Sequence, residues 1–179
     1  LAAWSAAQRL LVAAVVLCND GEAERGTDGT LSMIGDPTET ALLQLASNAG
    51  IDVKQLRTAV PRIGENPFDS GRKRMSTVHG PIATAPATDA LFEGVDGTCP
   101  VAFAKGAIDG LVAHADLVWT ANGVAAFDDQ HRANLLAAND EMAAAGLRVL
   151  GVAVRSFTNP AAPVAELVAA PVAELVAEA

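Results

Sequence analysis

Pro67-Phe68-Asp69-Ser70-Gly71-Arg72-Lys73-Arg74-Met75-Ser76 gathers three cations, Arg72, Lys73 and Arg74, just past an aromatic ring. The chain holds five Phe and no Tyr, and its formal net charge is -9, so ring and basic cluster both stand out. A flat ring stacks on a purine while ammonium and guanidinium groups answer phosphate charge, so the pairing suits a nucleotide. By itself the run also fits a core Phe beside a solvated turn. Its neighbours have to decide between the two.

Working outward, Met75 to His79 reads as a strand after the basic run, and Ala59 to Ile63 as a strand before it. Val101 to Lys105 alternates, which puts Val101, Phe103 and Lys105 on one face. Asp96-Gly97 and Asn122-Gly123 are hairpin signals, and Ala83 to Thr88 reads as turn or edge. Leu147 to Phe157 alternates as a long strand, and Leu31 to Ile34 as a short one, with a Gly/Glu/Asp-rich loop from Asp20 to Thr30.

The helices announce themselves by their starts. Ser5-Ala6-Ala7-Gln8 has the form of a capping box before an apolar run to about Asn19. In Gly35-Asp36-Pro37-Thr38-Glu39, Asp36 caps, Pro37 fits the first helical position, and Glu39 falls where its carboxylate reaches back to the cap. That helix stops at Gly50, and a short one follows around Asp52 to Arg57. Asp128 or Asp129 caps the longest helix, expected to turn Leu135, Leu136 and Met142 to the core and to end at Gly146. Hairpin turns between strands and helices favour an α+β fold, an antiparallel sheet flanked by helices, over a parallel nucleotide-binding sheet.

At 179 residues and 51% hydrophobic content the chain is expected to build one core in a single domain, residues 1–179. The acidic balance argues against nucleic acid as a partner. Cys18 and Cys99 are too few for a disulfide framework and read as buried thiols in a reducing compartment, and His79, His114 and His131 lie without ligand spacing. No run reaches the roughly 18 apolar residues of a spanning helix. Residues 160–179 form an Ala/Pro/Glu-rich tail in which Pro163-Val164-Ala165-Glu166-Leu167-Val168-Ala169 recurs from Pro171; short helical or linker segments are expected there. The start at Leu1 without Met leads to the expectation that the chain is excised from something longer.

The Gly-rich phosphate cradles Gly-x-x-x-x-Gly-Lys-Ser/Thr and Gly-x-Gly-x-x-Gly do not occur, and no nucleophile triad has recognisable context. What remains is dispersed: Glu39, the Phe68 to Met75 group, Lys105 before Gly106-Ala107, and Arg148 in Gly146-Leu147-Arg148-Val149-Leu150. Together with Leu17-Cys18-Asn19-Asp20 and Gly35-Asp36-Pro37-Thr38-Glu39-Thr40-Ala41-Leu42, these segments, in this order, resemble the nucleotide-binding domain of P-type cation-transporting ATPases, in the calcium-pump-like branch. The soft-metal branch uses a His-Pro motif, whereas His79 precedes Gly80.

The resemblance implies ATP as ligand, Mg-ATP in the intact pump. Phe68 would stack on the base, Glu39 would sit near the amino edge of adenine, and Lys105 would line the pocket floor. Lys73 would approach the phosphates and Arg148 would meet them at the pocket mouth, with Met75 and Gly106 completing the nucleotide-binding set. Two departures stand out: Lys105-Gly106-Ala107 continues with Ile108-Asp109 in place of Pro-Glu, and Ser70 stands where some members carry a cation.

The Asp-Lys-Thr-Gly-Thr segment that carries the phosphorylated aspartate is missing, so the fragment is expected to bind ATP weakly without hydrolysing it. The resemblance further implies a cytoplasmic domain of an integral membrane enzyme, partnered by the phosphorylation and actuator domains, reaching the membrane only through helices of the parent. The tail would lead back to the phosphorylation domain. The competing expectation is a non-catalytic regulatory or interaction domain of the same fold; a self-sufficient kinase or hydrolase lacks the phosphate loop and metal carboxylates it would need.

Overall fold

Ser5 opens the first helix, α1 (Ala6–Leu17), through a reciprocal cap: its Oγ accepts from Gln8 N at 3.1 Å and its own N–H donates to Gln8 Oε1 at 3.1 Å. The computed structural model describes residues 3–28, 30–82, 86–120, 122–159 and 174–176. Because α1 is Ala, Leu and Val on nearly every side, it is buried from Val12 to Leu17 and forms the centre of the main core. Each of its fully buried Leu and Val side chains contributes about 1.5–3 kcal/mol by leaving water.

A hairpin follows, β1 (Glu22–Arg25) with β2 (Leu31–Ile34), and then α2 (Pro37–Asn48) and α3 (Val53–Ala59). The main sheet begins with β3 (Arg62–Asp69) and β4 (Arg74–His79). After α4 (Pro86–Asp89) come β5 (Val101–Gly106), α5 (Ile108–Val112), β6 (Leu117–Thr120), β7 (Gly123–Ala126), α6 (Asp129–Ala144), β8 (Gly151–Ser156) and β9 (Glu174–Val176). Among the described residues seven strands lie in the order β3-β4-β5-β8-β9-β6-β7, antiparallel throughout except where β9 runs parallel to β6. The class is α+β, as the sequence leads one to expect.

Strand alternation separates two cores. Met75, Val101, Phe103, Val152 and Val154 face α1, α2 and α3, whereas Ala104, Ala153 and Val118 pack with α5 and Phe127, with Leu135 and Leu136 of α6 at the margin. Val101, Phe103 and Lys105 do share a face, opposite His79, Thr77 and Met75 of β4.

Several local expectations need correction. The loop from Asp20 to Thr30 contains β1, whose exposed polar residues hide the strand signal. The strand before the basic run starts at Arg62 and reaches Asp69, so Phe68 stands on a strand. Pro86–Asp89 is a helical turn, while residues 83–85 lie outside the described residues. Asp96-Gly97 makes no hairpin: Asp96 Oδ1 accepts from Thr98 N and Oγ1, a local side-chain turn. Residues 147–150 precede the strand β8, and Met142, 39% exposed, does not enter the core. In the tail Glu174–Val176 adds a strand to the sheet; the rest of the repeat lies outside the described residues.

Candidate functional site

The basic stretch is a hairpin tip between β3 and β4. Register changes between Asn66↔Ser76 and Asp69↔Arg74, so Pro67 and Phe68 together stand opposite a single residue, Met75. This is a β-bulge on an edge strand, the place in a sheet where a proline is tolerated. It leaves the Phe68 side chain 64% exposed, which is unusual for the largest apolar residue of its strand.

The tip is held from several sides. Lys73 N donates to Asp69 O at 2.7 Å, Arg72 N to Asp69 Oδ1 at 2.8 Å, and the Arg72 guanidinium to Pro67 O at 2.7 Å. Lys73 takes φ +51°, the left-handed region, and its carbonyl accepts from Ala107 N at 3.0 Å. Gly106 makes that junction possible, since a Cβ there would lie 2.4 Å from Lys73 O and 2.7 Å from Arg74 Cα. The basic tip is thus clamped onto the end of β5. Lys73 Nζ lies 3.6 Å from Asp109 Oδ2, and both side chains are largely exposed.

One residue back along β5, Lys105 is only 6% exposed, with Nζ 2.6 and 2.7 Å from the two carboxylate oxygens of Glu39. Glu39 Oε2 also accepts from Asp20 N at 3.3 Å. The capping role read for Glu39 is therefore corrected: Asp36 alone caps α2, accepting from Thr38 N at 2.8 Å, and Glu39 turns to the sheet. An ionised carboxylate has about four lone-pair directions, so Glu39 retains acceptor capacity beyond these contacts.

The donated Thr38 N–H holds the Asp36 carboxyl below the ordinary carboxylate range, and the positive charge of Arg148 adds to this. Arg148 lies in the stretch between α6 and β8. It is exposed and makes no hydrogen bond or ion pair among the described residues.

Phe68 and Lys105 sit on strands flanking β4, roughly 10 Å apart at two strand spacings. Glu39, Lys105, Gly106, Lys73, Phe68 and Arg148 therefore gather at one end of the sheet, where β3 and β5 finish and β4 and β8 begin. Met75 departs from the others. At 3% exposure it packs in the main core, and its carbonyl accepts from Cys18 Sγ at 3.8 Å, so it backs this region from beneath. A cleft of about 970 Å³ lies elsewhere, between the β1–β2 hairpin and α3, and none of these residues lines it. The Asp20 amide, which follows the Leu17-Cys18-Asn19 stretch, and Asp109 join the predicted residues here, and only three-dimensional proximity reveals Asp109.

A search against known families matches residues 7–174 to the P-type ATPase, cytoplasmic domain N. The chain belongs to that family. This N domain is 35% identical over 148 residues to calcium-transporting ATPase 1 of Lactococcus lactis subsp. lactis, which covers 83% of the chain and 15% of that relative. It is also 35% identical over 148 residues to the probable cation-transporting ATPase F of Mycobacterium bovis, covering 82% and 14%. A calcium-transporting ATPase of Listeria monocytogenes is 42% identical over 76 residues, 42% of this chain and 8% of that relative. The chain thus spans about a seventh of the length of the first two. Among the described residues no helix is long and apolar enough to cross a membrane.

Proposed function

We propose that this N domain holds the adenosine end of ATP for a cation-transporting ATPase of the calcium-pump-like branch, leaving the γ-phosphate to reach an aspartate on a separate domain. The exposed Phe68 ring on its bulge, beside the strand that pairs with Lys105, is the observation that supports this most. A solvent-facing aromatic loses water when a purine stacks on it, and such stacking contributes about 1–3 kcal/mol per base.

Around the ring the charges are graded. Glu39 offers an acceptor for the exocyclic amine of adenine, and the buried Lys105 holds that acceptor in place. Lys73 and Arg148, both exposed, meet phosphate oxygens, Arg148 in bidentate fashion. Met75 and Gly106 serve from behind, one packing under the pocket and the other letting the hairpin tip close on β5.

In the parent chain this domain works with phosphorylation and actuator domains, and Mg²⁺ accompanies the phosphates. Closure of the domains then brings the γ-phosphate and the aspartate together, a proximity effect. The whole of residues 1–179 acts as one nucleotide-binding unit on the cytoplasmic side of the parent membrane enzyme, with its tail returning to the phosphorylation domain.

One stacked base with open phosphates gives weak binding by this chain, on the order of 0.1–1 mM, or about -4 to -5.5 kcal/mol, with no hydrolysis. Titration with ATP followed by amide NMR shifts tests this. Changes centred on Phe68, Glu39, Gly106 and Arg148 are expected, and silence there up to about 10 mM would refute the reading.

A further inference from the structure

The segment between α1 and β1 carries a buried amide that none of the roles above uses. Asn19 is 1% exposed, and its side chain is fully engaged. Nδ2 donates to Val15 O and to Glu39 O, each at 3.1 Å, while Oδ1 accepts from Gly21 N at 2.8 Å. Its own carbonyl accepts from the guanidinium groups of Arg57, at 2.9 Å, and Arg62, at 2.8 Å. The amide of the next residue, Asp20, is the one that reaches Glu39 Oε2.

Glu39 is therefore gripped at both ends by one short segment: its carbonyl by the Asn19 side chain, its carboxylate by the amide that follows. Little slack remains in the crossing. A Cβ on Gly21 would lie 3.0 Å from Asn19 Oδ1 and 3.4 Å from Glu39 Cβ, and one on Gly35 would lie 3.0 Å from Gly21 Cα. Arg57 and Arg62 fix the same segment from the far side, since both also bond to carbonyls at the end of α1, Val16 and Leu17 respectively. A hydrogen-bonding geometry this closely determined suits a group whose direction matters, because a carboxylate swung by an ångström loses its partner.

We infer that Asn19 is a positioning residue of the nucleotide site, aiming the Glu39 carboxylate at the 6-amino group of a purine and so setting the preference for adenine over a 6-oxopurine. This rests on the adenosine reading of the site. The chemistry follows from the inventory of donors: an ionised carboxylate only accepts, so it bonds the amine of adenine and opposes the carbonyl oxygen of hypoxanthine. Without Asn19, α2 loses the tether that sets where its first turn stands over the sheet.

The test is to titrate the wild-type chain, Asn19→Ala and Asn19→Ser with ATP and with ITP, and to compare the ratio of the two affinities. The wild type is expected to bind ATP about tenfold more tightly than ITP, the worth of one charge-assisted hydrogen bond. In both variants that ratio is expected to fall to about twofold or less, with ITP binding little changed. A role in stability alone lowers the folded fraction and weakens both nucleotides together, so an unchanged ratio overturns the inference. Failure of both variants to fold would assign Asn19 to stability and overturn it equally. If the wild type itself bound ATP and ITP alike, the placement of Glu39 at the adenine edge would fall too, a failure distinct from a discriminating wild type with discriminating variants.

Discussion

Lys105 Nζ lies within 2.7 Å of both carboxylate oxygens of Glu39, joining a strand in the middle of the sheet to the first turn of α2 across 66 positions of sequence. The lysine is 6% exposed and the glutamate side chain 18%, so the two charges neutralise one another largely out of water. Such a pair is more costly to break than it is stabilising to make. Its value here is that it places an acceptor and a cation at the end of the sheet where Phe68 stands free.

Removing the glutamate strands a buried ammonium. Glu39→Ala is expected to lower unfolding free energy by about 2–4 kcal/mol. Lys105→Met keeps the aliphatic stem and leaves Glu39 with water and the Asp20 amide, so it should cost less. Urea unfolding of both variants measures this, and a Glu39→Ala loss below about 0.5 kcal/mol would show that the pair bears no weight.

His79 gives the fold a pH dependence. Its Nδ1 lies 3.0 Å from Val60 O and its Nε2 2.9 Å from Thr77 Oγ1; a carbonyl only accepts, so Nδ1–H donates to Val60 O. Burial pushes its pKa down to about 4, with Arg62 and Arg57 adding to the shift and the Val60 bond opposing it. The unfolded chain takes up this proton near pH 6.5, so the unfolded state binds more protons between the two values. Stability from this group is full above the unfolded pKa and is lost as pH falls toward the folded one, by about 2 kcal/mol between pH 7 and pH 5. Denaturant midpoints across that range should show the slope in the wild type and lose that share of it in His79→Leu; equal slopes would contradict the assignment.

Cys18 should resist thiol reagents. Burial pushes its thiol up to about 11, against the lowering influence of Lys105 and Thr77, and its Sγ faces the Met75 carbonyl. Iodoacetamide at pH 8 should leave it unlabelled in the folded protein and label it in urea, as peptide mass spectrometry would read. Rapid labelling without denaturant would mean that the core beneath Lys105 opens readily.

Two glycines of the hairpin region should differ sharply. Gly106→Ala pushes a methyl into the Lys73 carbonyl and is expected to cost about 2–3 kcal/mol and to move the amide signals of Arg72 to Arg74. Gly71→Ala meets only Asp69 Oδ1, at 3.2 Å, and should stay within about 0.5 kcal/mol. Equal effects in calorimetry would show that the junction between tip and β5 is looser than these contacts require.

Helix starts were readable because a cap is a local device. Ser5 with Gln8, Asp36 with Pro37, and Asp128 accepting from His131 N all lie within one turn of the helix they open. Glu39 shows where that reasoning stops: a carboxylate three residues after a cap fits a capping box on local grounds, and only the fold brings Lys105 to it. β1 is not legible in the sequence because a two-stranded hairpin with exposed sides needs no alternation of apolar residues. In α6 no residue is fully buried: Leu135 and Leu136 pack at the margin of the second core, as the sequence leads one to expect, whereas Met142 stays exposed. The candidate site residues stand in short motifs, whereas the hydrogen bonds of Asn19 and the bulge at Pro67 and Phe68 depend on pairing between distant segments.

The central claim, that a purine base stacks on Phe68, is tested most directly by calorimetric ATP titration of the wild type beside Phe68→Ala. Because the ring is 64% exposed, its removal should leave thermal stability nearly unchanged. The account predicts saturable binding on the order of 0.1–1 mM in the wild type and affinity weakened by at least about fivefold in the variant. Equal affinity in the two, or no binding to either up to about 10 mM, would contradict it.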